Sequence, residues 1–150
     1  MDKKTTAKKE NDFSLEKYKD YSVIGLNEPI RIYDSKNRKI RLMAKIDTGA
    51  TISSIDIKIA GKLKLGPIVK TAVIKAANGK ERRGIIETKI KIKNQIIKTH
   101  FTLADRTDLR YKAIIGKDTI KKGKFIIDIN KKYKTIETEK KQNKQNSSIL

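Results

Sequence analysis

Asp47-Thr48-Gly49-Ala50 sets a carboxylate, a hydroxyl and a glycine in one turn. A carboxylate held there can take or give a proton to whatever is brought against it. Leu42 to Ile46 runs into the turn as an apolar strand, and Thr51 to Ile55 leaves it as another. Gly49 lets a second backbone or a substrate approach closely. A small polar trio after a strand is also an ordinary turn, so its chemistry depends on what accompanies it.

What accompanies it is Ala113-Ile114-Ile115-Gly116-Lys117-Asp118-Thr119-Ile120, an apolar run ending in glycine, downstream of a long strand-like stretch. Together the two segments resemble the retropepsin-like aspartic peptidases, in which an Asp-Thr-Gly loop is followed by a flap hairpin and then by two aliphatic residues and a glycine. Leu103 to Tyr111 and Gly123 to Asp128 tighten the likeness. The fuller pattern is similar to the small retropepsin-like family often labelled ATP-dependent zinc protease, whose members commonly read Asp-Arg-Ser, then Tyr-Pro, then Leu-Ile-Gly-Arg. The resemblance covers residues 21–133. It departs at Lys112-Ala113, where a proline would follow Tyr111, and at Lys117, which replaces an arginine. The first departure removes a φ restraint and the second a planar, bidentate fork.

The resemblance implies hydrolysis of peptide bonds by a water placed between two carboxylates that share a proton. With one Asp-Thr-Gly per chain, the catalytic unit is expected to be a homodimer in which the Asp47 of each subunit meets on the two-fold axis. Thr48 would brace the loop across the dimer, and Gly49 would leave room for water and backbone. Ile114, Ile115 and Gly116 would support the loop from behind, with Gly116 permitting the close crossing. Ala50, Asn78, Gly79, Arg83, Asp105 and Arg106 are the expected substrate-binding positions. Asn78-Gly79 would form the flap tip, Arg83 and Arg106 would hold a substrate carboxylate, and Asp105 would orient Arg106. An exposed ion pair or an ordinary hairpin would account for the same residues without function.

Other chemistries find less support. Zinc hydrolysis takes three protein ligands around an open position, and His100 is the sole histidine. No His-Glu-x-x-His pair and no phosphate-cradling Gly-x-x-x-x-Gly-Lys occurs, so no metal or cofactor is expected. His100 reads as a strand residue. The family's association with glutamate-ligating enzymes makes acidic or glutamate-rich protein tails the expected substrate.

The elements that must position these residues have period two. Ile30 to Tyr33, Lys39 to Leu42, Ile85 to Ile92 and Phe125 to Ile129 alternate or are β-branched, as strands with one buried face do. Turn signals fall at Ser35-Lys36-Asn37, Asn78-Gly79, Lys93-Asn94 and Lys122-Gly123. Many short strands need covered edges, which predicts a small, closed, mostly antiparallel β-barrel with at most short helical turns. Thr51 to Leu63 is expected to be a strand and a turn, and a single helical turn could follow Gly116. Ile127 to Ile129 is expected inside the barrel, with a dimer-interface strand as the alternative. Residues 1–20 and 134–150 are polar and weakly patterned, and are expected to be mobile and disordered, respectively.

The 150 residues suit one domain. No cysteine is present, and no apolar run reaches the length of a membrane span, so a cytoplasmic protein without membrane contact is expected. The net charge of +20 would steer anions. It also fits an AT-rich coding bias, since lysine far outnumbers arginine and isoleucine far outnumbers leucine. A non-catalytic basic barrel binding nucleic acid or acidic peptides is the rival reading, although the eight Phe and Tyr residues form no basic-aromatic cluster in sequence.

Overall fold

The computed structural model describes residues 15–133. The expectations for the outermost segments therefore fall, at residues 1–14 and 134–150, outside the described residues. Residues 15–18 form a 3-10 turn, Leu15–Tyr18.

Nine strands and two six-residue helices follow. The strands are β1 (Ser22–Ile24), β2 (Asn27–Tyr33), β3 (Lys39–Ile46), β4 (Ser53–Asp56), β5 (Ile68–Ala76), β6 (Gly79–Ile92), β7 (Gln95–Ala104), β8 (Ala113–Ile115) and β9 (Phe125–Ile127). The helices are α1 (Ile57–Lys62) and α2 (Lys117–Lys122). The main sheet runs β2-β3-β8-β4-β7-β6-β5, and β2 also pairs with β6, which closes six strands into a barrel and leaves β5 outside the ring. Closure removes the open edges that short strands would otherwise present.

The alternation read from the sequence sorts residues between the two sides of the barrel wall. Along β2, Glu28, Ile30 and Ile32 are buried while Arg31 is exposed. Ile30, Ile32, Ile90, Ile92, Ile115 and Phe101 form the centre of the core. Each such side chain contributes about 1.5–3 kcal/mol relative to leaving it in water.

Pairing is mixed. β8 inserts between β3 and β4, running parallel to β3 and antiparallel to β4, and β4 runs parallel to β7. The other barrel pairs are antiparallel. β9 lies outside the barrel, in a two-stranded parallel sheet with β1, so the expectation of an internal barrel strand at Ile127 to Ile129 is corrected. The expected turn after the Thr51 to Ile55 strand is helix α1, and the expected helical turn after Gly116 is α2. Among the described residues no helix is long and apolar enough to cross a membrane.

Candidate active site

Asp47 stands at the C-terminal end of β3, where the insertion of β8 forces the chain to leave the sheet and return as β4. Its amide donates to the Ile115 carbonyl at 2.9 Å, continuing the parallel ladder one step past β3. The Asp47 side chain is half-buried, and its Oδ1 accepts the Gly49 amide at 2.9 Å. This Asx-type turn fixes the carboxylate against its own loop. Thr48 and Gly49 are exposed and Ala50 is half-buried, so the loop presents its tip outward.

Gly116 lies directly beneath. A Cβ there would sit 2.8 Å from the Ala50 carbonyl oxygen and 2.9 Å from the Ile52 carbonyl carbon, so only glycine lets the two segments cross. Flanking amides hold the crossing together. Lys117 N donates to Ala50 O at 2.8 Å, and Asp118 N donates to Thr51 O at 3.2 Å.

Sequence reasoning missed the polar network below this crossing. The Ser53 hydroxyl accepts the Gly116 amide at 3.0 Å and donates to Asp118 Oδ1 at 2.9 Å. Ser53 and Thr99 each share a 2.8 Å hydrogen bond with the Thr119 hydroxyl. Ser53, Thr99 and Thr119 are fully buried, so every hydroxyl must find protein partners. The network ties β4, β7 and α2 to the loop.

The remaining expected positions divide into two groups. Arg106 lies in the electrostatic reach of both Arg83 and Asp47. Burial pushes the Arg106 guanidinium below its ordinary value and Arg83 adds to this, while Asp56 and Asp47 act in the opposite direction. Arg106 is held by its amide to Asp56 Oδ1 at 2.8 Å and by its Nε to the Tyr111 carbonyl at 2.8 Å. Arg83 pairs with Glu81 at 3.0 Å, yet its Nε is the one buried side-chain polar atom without a hydrogen-bond partner among the described residues.

Asp105 points elsewhere. Its Oδ1 accepts the Thr107 hydroxyl at 2.5 Å and the Thr107 amide at 3.0 Å, and these bonds hold its carboxyl below the ordinary range. The group that positions Arg106 is Asp56, buried at the end of β4, rather than Asp105. Lys112 takes over where a proline was expected. Its Nζ donates to the carbonyls of Arg106, Thr107 and Leu109 at 2.9, 2.5 and 3.0 Å, closing the loop by hydrogen bonds instead of a ring.

Asn78 and Gly79 lie at the tip of the β5-β6 hairpin. Register pairs Ala76 with Gly79, so Ala77 and Asn78 make the two-residue turn, and Gly79 has φ +112°. Residues 79–84 of β6 pair with β5 alone, because pairing with β7 starts at Ile85. The arm extends past the barrel ring. His100 lies on β7 with Nε2 3.4 Å from Glu87 Oε2, and among the described residues no cluster of three metal-ligating side chains occurs.

The family model described as RimB-like, retropepsin-like aspartic endopeptidase RimB, matches residues 58–138, a stretch that holds Arg83, Arg106 and Gly116 and begins after the Asp47 loop. The chain belongs to this RimB-like family. Its aspartic endopeptidase character agrees with one solved protease that shares the barrel. EIAV protease, solved with the inhibitor HBY-793, is 25% identical, with a TM-score of 0.51 over 63% of this chain and 84% of that one. The Legionella pneumophila protein Lpg0085, of unknown function, is 18% identical, with a TM-score of 0.53 over 75% of this chain and 96% of that one, a likeness of fold alone. No curated protein matches the sequence. This RimB-like chain is thus an aspartic-type peptidase on a retropepsin-like barrel.

Proposed function

We propose that two copies of this chain form a homodimer whose Asp47 carboxylates meet and activate one water for attack on a peptide bond. The observation that carries the reading is the single Asp47 loop, held over Gly116 at the end of β3, in a chain of an aspartic endopeptidase family. One carboxylate cannot act as base on water and as acid on the leaving group at once, whereas two sharing a proton can. Thr48 and Gly49 complete the loop, and the β5-β6 arm with Asn78 and Gly79 closes over the substrate.

Arg83 and Arg106 favour an acidic substrate. Arg106 lies in the field of Asp47 and Arg83 in that of Arg106, and guanidinium groups match carboxylates. Glutamate-rich protein tails fit this chemistry, and the absence of cysteine fits a cytoplasmic setting.

The experiment is hydrolysis of acidic peptides, oligoglutamate-tailed ones included, by wild type and Asp47→Asn, with oligomeric state recorded on the same samples. Cleavage by a wild-type dimer that disappears in the variant is the expected result. A folded, strictly monomeric wild type that cleaves nothing would favour the rival basic binding barrel, whose ligand affinity Asp47→Asn would leave intact.

A further inference from the structure

A second charged feature lies on the outer wall of the barrel and shares no residue with the Asp47 loop. Register places Arg31 directly between Arg41 on β3 and Lys91 on β6. One step along, Tyr33 stands between Lys39 and Lys89, and Lys89 is paired in turn with Lys98 on β7. Like charges directly opposite one another destabilise a sheet. Here they are stacked across three adjacent strands.

Nothing nearby neutralises the first row. Among the described residues no carboxylate pairs with Arg31, Arg41 or Lys91, although Glu28 pairs with Lys93 beside them and Glu87 with Lys98 in the second row. The two carboxylates nearby are already engaged: Glu87, on the same outer side of β6 as Lys89 and Lys91, lies 3.1 Å from Lys98 Nζ, and Glu28 is buried on the inner side of β2. Glu28 accepts the Gly25 amide at 2.8 Å and lies 3.4 Å from Lys93 Nζ and 3.3 Å from Lys131 Nζ. A cavity of about 330 Å³ opens here, and its lining includes Arg31, Arg41, Lys91, Lys93 and Tyr133 together with the engaged Glu28.

Aromatic rings border the cations. Lys89 Nζ stands 5.1 Å from the Tyr33 ring centroid, and the Arg41 guanidinium lies 5.9 Å from that of Tyr133 and donates to its hydroxyl. Guanidinium forks match phosphate oxygens, and rings beside a basic track give bases a surface to stack on.

We propose that the outer face of β3-β2-β6, centred on Arg31, Arg41 and Lys91, binds the phosphate backbone of single-stranded RNA, apart from the peptidase cleft. The repulsion built into the rows is relieved when phosphates lie across them. An acidic polypeptide would satisfy the charges but have no bases to stack on Tyr33 and Tyr133.

The test is fluorescence anisotropy of a labelled mixed-sequence 20-nucleotide RNA, and of an oligoglutamate peptide of equal charge, across a salt series. The proteins are the full-length wild type, the double variant Arg31→Glu/Arg41→Glu, and the charge-matched control Lys62→Glu/Lys121→Glu. The expected result is RNA binding weakened at least about tenfold in the first double variant only, with the salt slope reduced by roughly 1–2. Thermal melts of that variant should stay close to those of the wild type, because the attraction gained between position 31 and Lys91 offsets the like-charge contact kept between positions 31 and 41, which separates lost binding from lost fold. Absent wild-type RNA binding, equal losses in both double variants, or oligoglutamate binding as tight and as sensitive to Arg31 and Arg41 as RNA binding would overturn the proposal.

Discussion

The Asp47 loop is held over a crossing that only glycine permits at position 116, and both residues stand out locally in the sequence, so their placement was legible there. Asp56 was not, since it reads as the last residue of an apolar strand and meets the Arg106 amide only across 50 positions of sequence. The Ser53, Thr99 and Thr119 hydroxyls were hidden for the same reason. Three separate elements converge on them only when the barrel closes. Gly116→Ala should destabilise the fold by about 1–3 kcal/mol in chemical denaturation, because backbone rather than a side-chain tip would have to move. Arg106→Ala should raise KM for acidic peptides about 10- to 100-fold, the worth of a charged hydrogen bond, with a smaller change for neutral peptides. Equal changes for both peptide classes would remove Arg106 from substrate recognition.

At the scale of elements, period-two patterning identified most strands and their turns, but pairing is non-local and was only partly readable. The parallel insertion of β8 between β3 and β4, and the β1-β9 pair outside the barrel, leave no mark in any one segment. Ile57-Lys58-Ile59-Ala60 alternates as a strand would, yet forms α1. The β5-β6 arm carries exposed Val73 and pairs beyond the barrel only with itself, so its amides should exchange with solvent faster than those of residues 85–92 in hydrogen-exchange measurements. Gly79→Val forces a β-branched residue to φ +112° and should cost about 1–3 kcal/mol locally, raising KM if the arm closes over substrate. The β2-β3 turn holds a different prediction. Burial pushes the Asp34 carboxyl up, but hydrogen bonds from the Arg38 side chain and from the Arg38 and Lys36 amides outweigh it and hold the group below its ordinary value of 3.8. A depressed carboxyl stabilises the fold fully above that ordinary value, and the contribution disappears as pH falls through the folded one. Asp34→Ala should therefore lower the melting temperature at neutral pH and flatten its decline below about pH 4.

For the whole molecule, charge and symmetry decide behaviour. A chain of +20 repels itself, so moderate salt should raise the melting temperature of the protein while weakening any polyanion bound to it. The central claim is that catalysis belongs to a pair of chains, since each supplies one Asp47. The direct measurement is peptidase activity of wild-type and Asp47→Asn chains refolded together at varied ratios and constant total protein. If both carboxylates are required, activity follows the square of the wild-type fraction and falls to about one quarter in an equal mixture. A linear fall, to about one half, would mean that each chain works alone and would contradict the shared-aspartate account.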